Sequence, residues 1–436
     1  MTDRVAANGP ADAVRRAPFG ANPHVGARGQ RTRHRILDAA LRVFGDVGLY
    51  HGSVERIAKE AGCSRAALYQ YFADKDDLLR HLAAQLTLQL DAAVAWLRPV
   101  TPDAEGWASL RDLVERWGEI HERHQPVFDA FPVMLETDAT FAEDATRARS
   151  RFVSAIAARV RNSDLAQAAV DGTVDLFLVS FPRAFEDIGM LRRAVPGAFP
   201  RGATLDALTD VVHRALFSLD PAVNVHEHDL PAPPRLPFGP LVRSGMEHDG
   251  RTGGDRATRA ALLDAARTGF LRHGYHGTRI DAIAERAGLS HGTLYTYFHG
   301  KDHVAQVLAL DAMRAAADTL QRLPDVQDGT ASRAAVRRWL ADYNQAQAGA
   351  TAMIRVWSDA LRNAGDPVRE IAPTLDWGRR RLSRRLAERG FGDVDLEAAV
   401  LLAFLSSLGG RERTPSELDT AALVLQRGFF GARTGD

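Results

Sequence analysis

The chain has 436 residues, with 55 Lys and Arg against 55 Asp and Glu, 45% hydrophobic residues and one cysteine. Lone Cys63 closes no intrachain disulfide and builds no cysteine-rich zinc site, no stretch approaches the ~18 uninterrupted apolar residues of a membrane span, and the N-terminus lacks a signal peptide's apolar segment. The expectation is a soluble cytoplasmic protein without a membrane partner, folded into roughly two to four compact domains, in which local rather than net charge decides contact with nucleic acid.

In chain order, residues 1–27 are rich in Gly, Ala, Arg and Pro without periodicity and read as a disordered tail. From Ile36 a pattern starts that recurs. Sliding the sequence by 226 positions aligns Ile36 to Asp76 with Leu262 to Asp302 without a gap, identical at 17 of 41 positions. The offset persists as apolar pattern, pairing Trp117 with Tyr343, Phe131 with Trp357 and Val174 with Val400. Near the end, Leu205, Asp206, Val211, Arg214 and Phe217 match Leu418, Asp419, Val424, Arg427 and Phe430 at an offset of 213. Apolar spacing of three and four predicts helices throughout, so the expected class is all-α. The expected domains are a head at 28–80, a helical body at 81–220, a flexible linker rich in Pro and Gly at 221–255, a second head at 256–306, a second body at 307–432, and a short tail.

Within each head a helix ends near Gly48 or Gly274, followed by a short helix, Val54 to Ala61 or Ile280 to Ala287. Ser53 and Thr278 are its expected caps, and Gly62 and Gly288 supply the left-handed turn. Ser64 and Ser290 cap the next short helix, completing a helix-turn-helix. Leu68 and Phe72, four apart, should point inward to Ile57 and Phe44. Arg65, Ala66, Ala67, Tyr69 and Gln70 are then presented at the end that meets base edges in a major groove, as are His291, Gly292, Thr293, Tyr295 and Thr296 in the second copy. Tyr69, Tyr295, Lys75 and Lys301 suit phosphate oxygens, and the repeated Tyr71 and Tyr297 join this set. Cys63 occupies the slot of Leu289, an apolar one.

The segments IAKEAGCSRAALYQYFADKDDLL and IAERAGLSHGTLYTYFHGKDHV resemble the DNA-binding signature of the TetR family of bacterial regulators. The resemblance implies a three-helix DNA-binding head, a larger helical body that binds a small effector and dimerises through its last two helices, and usually repression. Gly52 departs from it, since the family often has Thr there, and two whole copies are fused in one chain. Each head is basic, with 10 Lys and Arg against 7 Asp and Glu in residues 28–80 and 8 against 5 in residues 251–303. Arg33 and Arg259, with their neighbouring arginines, are candidate arms toward phosphates or the minor groove.

The expected architecture is therefore two TetR-like units paired as an intrachain pseudo-dimer, Asp171 to Phe185 and Leu205 to Phe217 packing on Glu397 to Ser407 and Leu418 to Phe430. The expected partners are a double-stranded DNA operator, asymmetric because the heads differ, and an unidentified small effector. Trp117, Phe128, Phe131, Phe177, Tyr343, Trp357 and Phe404 are candidate walls of an effector pocket. No cofactor, no metal and no enzymatic activity are expected; His226, Glu227, His228 and His248 lie in the linker without ordered ligand spacing. The rivals are a chain dimer presenting four heads to tandem sites and, from another class, a helical enzyme or metal protein, against which the lack of a phosphate-cradling glycine loop or nucleophile elbow counts.

Overall fold

The computed structural model describes residues 26–237, 253–324, 326, 333–347, 352–354, 356–357, 360–361, 367–409 and 412–432. The expected tails, most of residues 1–27 and the end of the chain, lie outside these residues, as does the linker from 238 to 252 with His248.

The helical expectation holds. Among the described residues, eight helices precede the linker: α1 (Ala27–His51), α2 (Val54–Glu60), α3 (Arg65–Tyr71), α4 (Lys75–Ala95), α5 (Ala104–Thr137), α6 (Ala139–Ala157), α7 (Gln167–Ala194) and α8 (Arg201–Phe217). After it come α9 (Gly253–Gly277), α10 (Ile280–Arg286), α11 (His291–Tyr297), α12 (Lys301–Gln321), α13 (Arg333–Gln347), α14 (Pro367–Ala387), α15 (Val394–Leu408) and α16 (Pro415–Val424), which runs into a π-turn, Leu425–Phe429. Among the described residues there is no strand, only a lone bridge between Val100 and Val160, and no helix is long and apolar enough to cross a membrane.

Contacts divide the chain into two compact units that do not follow the repeat. One holds residues up to Gln89 with Glu122–Glu143; the other holds Leu90–His121 and Asp144 onward. In the first unit α1, α2 and α3 enclose Ile36, Leu37, Ala40, Phe44, Ile57, Leu68 and Phe72, all buried. α5 bends at His124, where φ is −108° and ψ 17°. Pro126 lies two residues on, and a proline ring clashes with the carbonyl four residues back, which accounts for the bend.

The second unit contains the second head and the packing of the last helices of both copies. α7 lies on α15 and α14, and α8 crosses the π-turn. The crossing is close because Gly428 has no side chain: a Cβ there would stand 2.9 Å from the carbonyl oxygen of Val211. Ser180 and Ser407 bring their hydroxyls within 2.9 Å, and the rings of Phe177 and Phe404 are 6.1 Å apart. Two arginines at equivalent repeat positions reach across. Arg214, fully buried, pairs with the equally buried Glu397 and donates to Gly428 O at 2.8 Å and Asn224 O at 2.7 Å. Arg427 reaches Asp164 with two bonds, 2.7 and 3.0 Å. Each arginine thus meets an acid of the other copy, and Arg389 shares Glu397 at 2.8 Å.

The start of the linker corrects its expected flexibility. His226 bonds Asp210 through its backbone N–H and through Nδ1, both at 2.8 Å, and stacks on Trp107 with centroids 4.2 Å apart. His228 sits between Asp393, 2.5 Å from Nδ1, and Asp206, 3.2 Å from Nε2, while Glu227 accepts from Gly392 N. Composition signals a linker, but acids from α8 and from the start of α15 pin residues 226–228 to both copies. Among the described residues no group of three His, Cys, Asp or Glu is arranged to hold a metal ion.

Candidate nucleic-acid interface

Each head is set by the same local signals. The Ser53 hydroxyl accepts from Arg56 N at the start of α2, Ser64 from Ala67 N at 3.0 Å at the start of α3, and Ser290 from Thr293 N at 3.1 Å at the start of α11. Gly62 and Gly288 turn the chain with φ of 61° and 69°, the left-handed region that glycine enters without cost. Gly48 and Gly274, at φ 74° and 66°, break α1 and α9 near their ends. Leu68, Phe72, Leu294 and Phe298 are buried as the pattern requires.

With those side chains inward, Arg65, Ala66 and Gln70 are exposed on α3 and Ala67 and Tyr69 half-buried. On α11, His291, Gly292, Tyr295 and Thr296 are exposed and Thr293 half-buried. These outward sets are the candidate reading surfaces. Arg65 is held on two sides: its Nη1 lies 2.6 Å from Glu55 on α2, and its guanidinium sits 5.4 Å from the Tyr69 ring. The Tyr69 hydroxyl, then Glu55, raise the Arg65 pKa further. Glu55's own backbone N–H, at the start of α2, and next the Arg65 charge hold its carboxyl below the usual range. In the second head His291 Nδ1 pairs with Asp281, the counterpart of Glu55, and its ring lies 4.8 Å from that of Tyr295.

The cap expected at Thr278 is not made, and several of the expected DNA-facing residues have partners within the chain. Thr278 does not cap α10: Arg279 stands at the cap position without a side-chain capping bond, while Thr278 is buried and donates to Gly274 O at 2.8 Å. Gly269, where the first copy has Val43, makes its room, a Cβ there standing 3.0 Å from the Thr278 methyl. In the first copy Gly52 fills the Thr278 slot, and a Cβ on it would collide with Phe44. Lys75 donates to Leu49 O at 3.0 Å; Lys301 donates to Tyr275 O at 2.8 Å and Thr278 O at 3.1 Å, and burial lowers its pKa. Both lysines therefore hold the end of the first helix. Tyr297 donates to Asp255 at 2.8 Å, and Tyr71 is half-buried. Arg33 and Arg259 are not on extended arms; they lie inside α1 and α9, over the rings of Phe72 and Phe298 at 5.6 and 5.8 Å. Cys63 is half-buried, and burial pushes its thiol pKa up.

Sequence comparison identifies this geometry. The domain of bacterial regulatory proteins of the tetR family matches at residues 36–82 and again at 262–308. The chain carries the TetR-family DNA-binding domain twice. It is similar to the HTH-type transcriptional regulators BetI of Cronobacter sakazakii (38% identical over 94 residues, 21% of this chain and 46% of that protein), HbdR of Aromatoleum sp. (44% over 50, 12% and 22%) and AcrR of Shigella flexneri (47% over 53, 12% and 25%). The chain thus spans less than half the length of these relatives. A solved structure assigned to the TetR family, from Mesorhizobium loti, aligns with 41% of this chain and 97% of its own at 18% identity; its TM-score of 0.30 is too low to inform the fold.

The candidate effector residues fall in both units. Phe128 and Phe131 belong to the first unit, with centroids 5.7 Å apart. Trp117, Phe177, Tyr343, Trp357 and Phe404 are buried in the second, and Phe177 and Phe404 face each other where α7 meets α15. Aromatic residue type marks burial but not which neighbour covers it.

Proposed function

We propose that this chain is a DNA-binding transcriptional regulator, a ligand-responsive repressor whose two unlike heads read the two halves of one asymmetric operator while its own last helices pair as a pseudo-dimer. The observation that carries the reading is the contrast within the heads: serine caps, glycine turns and inward Leu and Phe are kept, whereas Arg65-Ala66-Ala67 and Gln70 stand against His291-Gly292-Thr293 and Thr296. Identical heads suit a palindrome; these heads suit unlike half-sites, with Arg65 matched to guanine. Selection of sites from random DNA by the full chain, followed by footprinting, is expected to give a non-palindromic operator. A perfect palindrome would overturn the reading.

The exchange of Arg214 for Glu397 and of Arg427 for Asp164 between copies supports pairing within one chain. Light scattering at micromolar concentration is expected to give one chain mass; two would favour the chain dimer with four heads.

The bodies are unequal in a way that favours effector response in the first. At one repeat position Tyr343 is buried with its hydroxyl bonded to Ser406 and Gln347, whereas Trp117 is buried beside Phe181 with no hydrogen-bond partner for its indole N–H among the described residues. A buried donor left unpaired costs about 1–3 kcal/mol, so a small apolar molecule offering an acceptor there is favoured. Trp117→Phe is expected to abolish effector-driven release of DNA and Tyr343→Phe to preserve it; the opposite pattern would move the site to the second body.

A further inference from the structure

We propose that Glu55 and Asp281 are the positioning residues that set sequence specificity in the two heads, each orienting the first side chain of its reading helix, Arg65 or His291, toward a base edge. The proposal rests on the DNA-reading role argued above and adds residues outside the reading helices to it.

The starting observation is a paired substitution inside one chain. Position 55 is Glu where 281 is Asp, and position 65 is Arg where 291 is His. Both members of the pair differ, yet the contact survives: Arg65 to Glu55 at 2.6 Å, and His291 Nδ1 to Asp281. The aromatic partner survives as well, Tyr69 on one and Tyr295 on the other. Fold stability gives little reason for this, since all four side chains are more than half exposed and exposed polar pairs contribute little.

Geometry supplies the reason. Both acids stand in the first turn of the helix preceding the reading helix, and the side chains they hold open the reading helix at the end that enters a groove. An arginine has five donors in a fixed fork, so Glu55 on Nη1 fixes the plane while leaving donors for a base edge. His291 held through Nδ1 has Nε2 as the atom for a base. A side chain oriented by its acid presents its remaining donors toward the groove, which suits a matched base edge better than a phosphate. The acid therefore favours matched DNA over unmatched DNA. In the second head Arg279 also lies 3.8 Å from Asp281, placing an arginine beside the same acid.

The test uses the full chain, its selected operator duplex and a random-sequence duplex, with affinities from fluorescence anisotropy at fixed salt. Glu55→Ala is expected to weaken operator binding, tighten random binding and lower their ratio about two- to fivefold, the fold-change an exposed ion pair converts to. The lost preference should map to the half-site contacted by Arg65, and Asp281→Ala should act on the other. Glu55→Asp should restore most of the ratio, and the thermal midpoint should move little. In an Arg65→Ala background Glu55→Ala should leave the ratio unchanged. An unchanged ratio in the single variant, or the same fall without Arg65, would overturn the proposal; the latter would mean simple repulsion of phosphates. A native chain that shows no sequence preference would overturn the DNA-reading role itself, before any variant is compared.

Discussion

Lys75 and Lys301 donate to the carbonyls that end the first helix of their heads, the second also lying 4.2 Å from the Tyr275 ring. A charged side chain in a DNA-binding head is here a brace for the head. Lys301→Met is expected to destabilise the second head by about 1–2 kcal/mol, the worth of charged hydrogen bonds left unmade. Hydrogen exchange should show lower protection of Ile280–Arg286. The slope of binding against salt should match that of the native chain, whereas a slope reduced by about one would mean a lost phosphate contact. The repeat makes both lysines visible in the sequence, but their acceptors are backbone oxygens, which carry no sequence signature. Arg33 and Arg259 teach the same lesson: type and position are legible, but the ring beneath each guanidinium is fixed only when α1 and α3, or α9 and α11, come together.

Among the elements, α5 carries a titration that the rest of the first unit feels. His124 stands at its bend, buried, with Nε2 3.2 Å from Gln89 Oε1. Burial, with the nearby Arg123 charge, lowers its pKa to about 4 from the ordinary 6.5. The folded state thus binds this proton more weakly than the unfolded chain. The stabilising difference is complete above pH 6.5 and is lost as pH falls toward 4, on the order of 3 kcal/mol in all. Urea unfolding from pH 7.5 to 4.5 should show the first unit weakening on acidification, with the native-minus-variant difference vanishing at low pH for His124→Asn. A flat difference would reject the assignment. Pro126 announces the bend in the sequence, but the burial of a histidine there follows from packing that spacing does not encode. Helix caps, by contrast, are local: Ser64 and Ser290 cap as expected because the serine, the helix start and the turn glycine lie within a few residues. Thr278 misled because burial against Gly269 decided its hydroxyl's partner.

At the scale of the whole molecule the buried arginines decide how the copies hold together. Arg214→Met would leave Glu397 buried with only Arg389 for its charge, and breaking a buried pair costs about 3–5 kcal/mol. Chemical unfolding should show this loss, with a midpoint independent of protein concentration if pairing is within one chain. A midpoint that rises with concentration would mean that chains pair with each other. The sequence by itself determined the duplication, the all-helical class and the two heads, because each rests on contacts within a few helical turns, where residue type and spacing dictate the outcome. Only the tertiary structure decided that residues 226–228 are pinned, that Phe177 and Phe404 meet, and that Arg214 and Arg427 each find an acid of the other copy. The contacts that join the two copies link residues some 160 to 260 positions apart, and no local periodicity records which distant acid a buried arginine will meet.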